Sequence, residues 1–362
     1  MKALVLLPYP RQRVPGQRYR LEQWLPHLAE LGVETRVVEL LSDAELDLLH
    51  APRSLVGKSL AVFRSAARVA PLLRDARRRW DVAIVHRTLL PVGPALLERL
   101  LARTGLPVVY DFDDAIWVTK TTEANRGLSW LKWSGKTASL CSLARHVVVG
   151  TDLLAEFVRR YNPHVTVIPP TVDVDRYLPR RHAVGTGPVV LGWSGSPTTV
   201  EYLGVIAGAL RRVAEEVPIE VRLMGAEFPL PGVPSSYRPW RADVEIEELR
   251  SYDVGLMPLV DDPWTRGKGA MKALLYMAVG VPVVASPVGV TPRVVEHGRN
   301  GLLAATEDEW VTHLLALAGD APKRNAMGAE GRATVERWYS PRVQAPRLAE
   351  VLRSVAEESR GR

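Results

Sequence analysis

Short apolar runs alternate with amphipathic segments through the first half of the chain, and this alternation constrains the fold more than any other feature. The segments are Ala3–Leu7, Arg18–Gly32, Thr35–Leu40, Val82–His86, Pro91–Arg103, Pro107–Tyr110, Val147–Gly150 and Val165–Ile168. Runs that are apolar at successive positions read as strands buried on both faces, and helices between such strands predict a parallel α/β sheet. The second half repeats the pattern, with strands expected at Val189–Trp193, Val221–Met224, Val254–Met257 and Val281–Ala285. Helices are expected there at Val200–Glu216, Met271–Val279 and near Glu309–Leu317. An α/β chain of two Rossmann-like domains follows, and 362 residues suit two domains at about 100–200 residues each. The expected division is residues 1–178, a linker at 179–188 rich in Arg, His and Gly, a second domain at 189–340, and a C-terminal helix over 341–362 that can return to the first domain.

Composition excludes several classes. With 47% hydrophobic and 24% charged residues the chain is neither disordered nor fibrous. The most apolar stretch, Tyr276–Val290, is interrupted by Gly280, Pro282, Pro287 and Gly289, so no membrane span is expected. Ala3–Leu7 is too short for a signal peptide and reads as a buried first strand, which predicts a cytoplasmic protein. The single Cys141 can form no internal disulfide. Charge is uneven: residues 1–180 hold 26 Lys and Arg against 18 Asp and Glu, whereas residues 181–362 hold 21 against 22. An anionic partner for the first half is implied, whether nucleic acid, a phospholipid surface or a phosphorylated substrate. Nucleic acid is disfavoured because no recognised motif accompanies the basic half. Val56–Trp80 carries Lys58, Arg64, Arg68, Arg74 and Arg77–Arg79 among apolar residues, an amphipathic pattern expected to break near Pro71. It suits an anionic membrane surface, or a helix that packs its apolar stripe and solvates its arginines.

Ligands of open parallel sheets bind beyond the carboxyl ends of strands, so the loops that follow strands hold the candidates. Gly16 ends the first such loop at the start of a helix carrying Arg18 and Arg20, where free backbone N–H groups favour an anion; a tight turn with solvated arginines reads equally well. His86 and Arg87 end another strand. Asp111, Asp113 and Asp114 end the next, and such carboxylates can bind a divalent metal, accept polyol hydrogen bonds or supply a base, or one can simply cap a helix. Ser194, Gly195 and Ser196 lie between a strand and a helix and offer a backbone anion pocket, but their glycine spacing is not a dinucleotide fingerprint. In Trp264-Thr265-Arg266-Gly267-Lys268-Gly269-Ala270-Met271-Lys272, basic side chains converge on a helix amino end. Lysine there opposes the helix dipole unless an anion compensates, which suits a diphosphate.

From this block through Tyr276-Met277-Ala278 and Pro282–Gly289 the sequence resembles the family 4 glycosyltransferases, particularly bacterial members with an RGKxxxK…YMAxGxPVVASPVG pattern. The likeness extends to GQRYRLEQWLP at Gly16–Pro26, DFDDAIW at Asp111–Trp117, IPPTVDVDRY at Ile168–Tyr177, DVGLMP at Asp253–Pro258 and EHGRNGLL at Glu296–Leu303. It implies a GT-B architecture, two Rossmann-like domains facing across a cleft, with the sugar nucleotide on the second and the acceptor on the first. It also implies retention of anomeric configuration, with no cofactor and no required metal. The chain departs from the family in two places. The usual Glu-x7-Glu pair falls on Gly267 and Leu275, and the Arg and Lys that usually hold the diphosphate after the first strand of the second domain are replaced by Trp193–Ser196.

The expectation is therefore a glycosyltransferase moving a sugar from a nucleoside-diphosphate donor to a glycan, lipid-linked or small-molecule acceptor, in cell-surface polysaccharide or glycoconjugate assembly. His86, Asp113 and Lys268 are the expected catalytic residues. Gly16, Ser194, Gly195, Ser196, Arg266, Lys268, Lys272, Gly289 and Val290 are placed at the donor, and Arg18, Arg20, Arg87, Asp111 and Asp114 at the acceptor. The rivals are a metal-dependent transferase using Asp111-Phe112-Asp113 and a non-catalytic sugar-nucleotide-binding protein. A peripheral position on the inner face of the plasma membrane is also expected.

Overall fold

The computed structural model describes residues 1–50, 55–90, 93–118, 135–180 and 187–361. The chain divides into two compact units, Met1–Pro170 with Pro341–Arg362, and Thr171–Ser340. This division falls upstream of the expected linker, of which residues 181–186 lie outside the described residues.

The first unit contains β1 (Lys2–Leu7), α1 (Pro15–Arg20), α2 (Leu25–Glu30), β2 (Glu34–Glu39), α3 (Asp43–His50), α4 (Leu55–Leu73), α5 (Ala76–Arg79), β3 (Val82–His86), α6 (Leu96–Arg103), β4 (Val108–Phe112), α7 (Lys136–Leu143), β5 (His146–Val149), α8 (Asp152–Arg159) and β6 (Val165–Val167). Its strands form one parallel sheet in the order β2-β1-β3-β4-β5-β6. Five residues of β1 and all of β3 are buried, as uninterrupted apolar runs require. The helix expected at Arg18–Gly32 is broken into α1, a 3-10 turn at Glu22–Trp24, and α2. In contrast, α4 does not break near Pro71 but runs on to Leu73, and the chain reverses at Asp75, in the left-handed region at φ 54°. Two of the arginines read as lipid-facing are used internally. Arg68 pairs with Glu45 and donates to the Leu40 carbonyl, and Arg77 donates to the Ser359 carbonyl.

The second unit contains β7 (Val189–Ser194), α9 (Ala207–Glu216), β8 (Ile219–Met224), β9 (Ser235–Arg238), α10 (Glu245–Arg250), β10 (Val254–Met257), α11 (Met271–Ala278), β11 (Val283–Ala285), α12 (Thr291–Val294), β12 (Gly301–Leu303), α13 (Glu307–Ala318) and α14 (Ala321–Trp338). A second parallel sheet results, in the order β12-β11-β10-β7-β8-β9. Its centre is fastened by Tyr276, whose ring lies against Gly255; a Cβ there would sit 2.3 Å from the ring. The phenol accepts from the Ser194 N–H at 3.0 Å and donates to the Leu256 carbonyl, tying the ends of β7 and β10. Burial pushes the phenol well above its ordinary pKa, so it stays protonated.

The chain then returns to the first unit as α15 (Pro341–Arg360). Ala345, Leu348, Ala349, Leu352 and Val355 recur at helical spacing, are buried, and share a core with Ala3, Val5, Trp24 and Leu28. Burying each leucine contributes about 1.5–3 kcal/mol, which anchors the returning helix without a covalent link.

Candidate functional site

Two clusters form at the carboxyl ends of parallel strands, one in each unit. In the first, α1 and the ends of β3 and β4 bring Arg20, His86 and Asp111 together. Arg20 Nε donates to Asp111 Oδ1 at 2.8 Å, and His86 Nδ1 lies 2.7 Å from Asp111 Oδ2. All three side chains are fully buried. Asp111 thus holds the imidazole through Nδ1, and His86 Nε2 is buried without a hydrogen-bond partner among the described residues. Arg20 and Asp111 are thus buried with His86 and bonded to each other, with Arg20 also donating to the Ile168 carbonyl.

Nearer the surface, Arg87 donates to Asp113 Oδ1 through Nε and a terminal nitrogen, at 3.0 and 2.6 Å, and to Asp114 Oδ2 at 2.9 Å. Burial works against a charged Asp113, but the Arg87 guanidinium, with His86 and Arg20 beyond it, holds the carboxyl well below the usual carboxylate range. Burial likewise opposes the Arg87 charge, yet Asp113 and Asp114 keep its pKa above the ordinary arginine value. The Arg87 backbone is left-handed at φ 56°. Its N–H bonds the Asp111 carbonyl at 2.8 Å and its carbonyl accepts from the Tyr110 hydroxyl at 2.7 Å, which fixes a conformation costing about 1–3 kcal/mol. Gly16 lies in this cluster; a Cβ there would stand 2.9 Å from an Arg87 nitrogen and 3.0 Å from Asp113. Arg18 is buried, stacks on Tyr19 with its guanidinium carbon 4.4 Å from the ring centroid, and bonds the Tyr19 hydroxyl. Each carboxylate of the rival metal-ligand reading, Asp111 and Asp113, is already matched by an arginine. Among the described residues no group of three or more His, Cys, Asp or Glu side chains could hold a metal ion.

In the second unit the loops after β7, β10 and β11 emerge from neighbouring strands. Lys272, on the first turn of α11, reaches back to the β7 loop. Its Nζ lies 4.2 Å from the Trp193 ring centroid and 3.3 Å from Thr199 Oγ1, with no carboxylate partner among the described residues. A Cβ at residue 195 would come within 2.8 Å of that nitrogen and 2.5 Å of the Trp193 ring, so only glycine admits this packing. Burial pushes the Lys272 amine well below the ordinary lysine value, and Lys268 adds to the effect. Lys268 itself lies over the Trp264 ring, 3.6 Å from the centroid. The two lysines pack on different rings, Trp264 and Trp193, and Lys268 is near enough to act on the Lys272 amine. Arg266 does not join them: it is exposed and clamped to Asp261 by two hydrogen bonds at 2.5 and 2.9 Å. Its backbone nonetheless meets the β11 loop, because Gly289, at φ 59°, lets that loop approach the Arg266 carbonyl. Val290 follows at the start of α12. Ser194 is held by Tyr276, and Ser196 bonds Thr198 and Thr199. Gly267 and Leu275 are both buried, and neither residue type carries a carboxylate. Sequence reasoning missed Trp193 and Thr199 as the partners of Lys272; a large aromatic at a strand end was the only signal.

Comparison with known proteins agrees with this architecture. A family model described as Glycosyltransferase Family 4 matches residues 15–176, and one described as Glycosyl transferases group 1 matches residues 198–320. A D-inositol 3-phosphate glycosyltransferase from Arthrobacter sp. (strain FB24) is 30% identical over 203 residues, 48% of this chain and 47% of that protein. The chain spans about half the length of the curated relatives it matches first. Sucrose-phosphate synthase from Thermosynechococcus elongatus superposes with a TM-score of 0.70 at 13% identity, covering 99% of this chain and 100% of that one. The Anabaena protein HepE, solved in complex with UDP and glucose, gives 0.67 at 17% identity over 98% and 100%. The chain therefore carries glycosyltransferase domain matches in both of its units, on the two-domain α/β fold of the solved GT-B glycosyltransferases.

Proposed function

We propose that this chain transfers a sugar from a nucleoside-diphosphate donor to an acceptor hydroxyl, with retention of anomeric configuration and without a bound metal. The observation that carries the reading is the half-buried Lys272 amine, packed on Trp193 beside the Ser194–Ser196 backbone with no carboxylate to balance it among the described residues. A buried cation without a counter-charge is costly, and a diphosphate supplies that charge. The complex of HepE with UDP and glucose supports a donor of this class.

As the bond from the anomeric carbon to the diphosphate oxygen breaks, the acceptor oxygen bonds to that carbon on the same face, and its proton passes to the departing diphosphate. Lys272 and Lys268 stabilise the negative charge that develops on the leaving group. Ser194, Gly195, Ser196, Gly289 and Val290 line the donor side, with Arg266 contributing its backbone. On the acceptor side, the buried His86, held by Asp111, and Arg20 support the strand ends that carry the acceptor-facing Arg87, Asp113 and Asp114. Arg87, Asp113 and Asp114 orient the acceptor. The positive excess of residues 1–180 suits an anionic acceptor, and a relative named for D-inositol 3-phosphate is consistent with that. We place the reaction in cell-surface polysaccharide or glycoconjugate assembly, as the family resemblance implies.

Buried Gly267 and Leu275, in place of the family's two glutamates, favour one other reading, a protein that binds the donor without turning it over. Thermal shift across a sugar-nucleotide panel, followed by measurement of nucleoside diphosphate release with candidate acceptors in excess chelator, decides between them. A donor at 100 times its dissociation constant should add about 2.7 kcal/mol of stability, and release should depend on acceptor. If no sugar nucleotide stabilises the protein, the proposal fails. Binding without release under any acceptor selects the non-catalytic reading.

A further inference from the structure

On the first unit, α4 and α6 pack side by side and present one outward face of unusual chemistry. The inward face of α4 is anchored through buried Ala61, Ser65 and Val69. Its opposite stripe, Leu60, Phe63, Arg64, Ala67 and Pro71, repeats at three- and four-residue spacing and therefore lies along one side of the helix, with exposed Arg74 in the turn just after it. Phe63 is 70% exposed and Leu60 44%. The outward stripe of α6 repeats the composition, with Leu96 57% and Leu100 44% exposed between Arg99 and Arg103. A solvated helix face is expected to be polar and mixed in charge, whereas these two stripes hold only apolar and basic residues. The one carboxylate on either helix, Glu98, is buried and accepts from the Leu89 N–H and the Thr88 hydroxyl. Arg64, Arg74, Arg99 and Arg103 form no ion pair among the described residues, unlike Arg13, Arg212 and Arg241, each of which pairs with an acid.

We propose that the joint α4–α6 face docks on an anionic lipid bilayer, with Phe63, Leu60, Leu96 and Leu100 entering the interfacial region and the four arginines meeting lipid phosphates. Apolar side chains ringed by unpaired arginines match a surface that is apolar below and negatively charged above. Arg77, already bonded to a carbonyl, plays no part. The inference is independent of the transfer reaction, because the face contains none of His86, Lys268 and Lys272 and is tested without substrate.

The test is sedimentation of the full chain with phosphatidylcholine vesicles, with and without about 30% phosphatidylglycerol, at low and high salt. Each basic side chain near such a surface raises partitioning about fivefold, so the anionic vesicles should bind at least about tenfold more protein than the neutral ones, and less at high salt. Replacing Arg64, Arg74, Arg99 and Arg103 together by Ser should lose that tenfold. The double variant Phe63→Asp/Leu96→Asp should lose it with unchanged thermal melting, since both side chains are exposed, and Arg241→Ser should have no effect. Equal partitioning to both vesicles, or none to either, overturns the proposal. So does concentration-dependent self-association that the Phe63→Asp/Leu96→Asp variant abolishes, which would make the face a contact between copies of this chain.

Discussion

Lys272→Met separates binding from folding more cleanly than any other change at the candidate donor site. Methionine has nearly the volume of lysine, so packing on Trp193 is preserved. Thr199 Oγ1, which Lys272 approaches to 3.3 Å, still bonds the Ser196 N–H and carbonyl, so no buried polar atom is orphaned. The variant loses a cation–π contact of about 0.5–1 kcal/mol but no longer buries an uncompensated amine, and its stability should stay within about 1 kcal/mol of the parent. Donor binding should behave differently. A charge-assisted hydrogen bond to phosphate contributes about 1.5–3 kcal/mol, so the dissociation constant for UDP or GDP should rise about 10- to 150-fold. At a concentration that stabilises the parent by about 2.7 kcal/mol, a fifty-fold weaker variant would gain about 0.6 kcal/mol. Calorimetric titration beside thermal melting reads both quantities. Because burial and Lys268 lower its pKa, Lys272 sheds its proton at lower pH than an ordinary lysine, so parent affinity should fall with rising pH while the variant lacks that component. Undiminished nucleotide affinity in a well-folded Lys272→Met protein would refute the reasoning.

Three further outcomes follow from the geometry. Gly195→Ala should cost about 1–3 kcal/mol of stability in urea unfolding and weaken donor binding, because its Cβ would intrude on Trp193 and displace the Lys272 amine. Asp111→Asn leaves the fully buried Arg20 without its counter-charge and should cost about 3–5 kcal/mol, read by the same method. Glu45 sits in a buried position that works against its charge, but Arg68 and Ser42 pull its pKa down from 4.5 to about 2. Its stabilisation is complete above the unfolded value and is lost as pH falls toward 2. The gap between parent and Glu45→Gln, about 2 kcal/mol after allowance for solvent around Arg68, should be full at pH 6 and closing by pH 3.

The strands of both sheets were legible because residues buried on two faces must be apolar at every position; Val82–His86 and Val254–Met257 coincide with β3 and β10. What escaped were elements without that signature. β9, Ser235–Arg238, is a polar exposed edge strand, and β12 is only Gly301–Leu303. Pro71 misled because the helix continues past it to Leu73, and the break comes instead at Asp75, whose backbone is left-handed. At the candidate site, strand ends pointed to His86, Asp111 and Asp113, and helical spacing pointed to Lys268 and Lys272. Depth was not legible. Arg20 and Asp111 read as acceptor-binding residues, yet they pair in the interior, a contact spanning 91 positions that no local pattern encodes. Arg266 read as a phosphate ligand, although Asp261, five residues upstream, already holds it.

The most direct measurement is proton NMR of a sugar nucleotide that stabilises the protein, followed with candidate acceptors in excess chelator. The account predicts acceptor-dependent loss of the donor's anomeric signal and growth of a product signal of the same anomeric configuration. A donor that binds yet stays intact with every acceptor, or a product of inverted configuration, would contradict it.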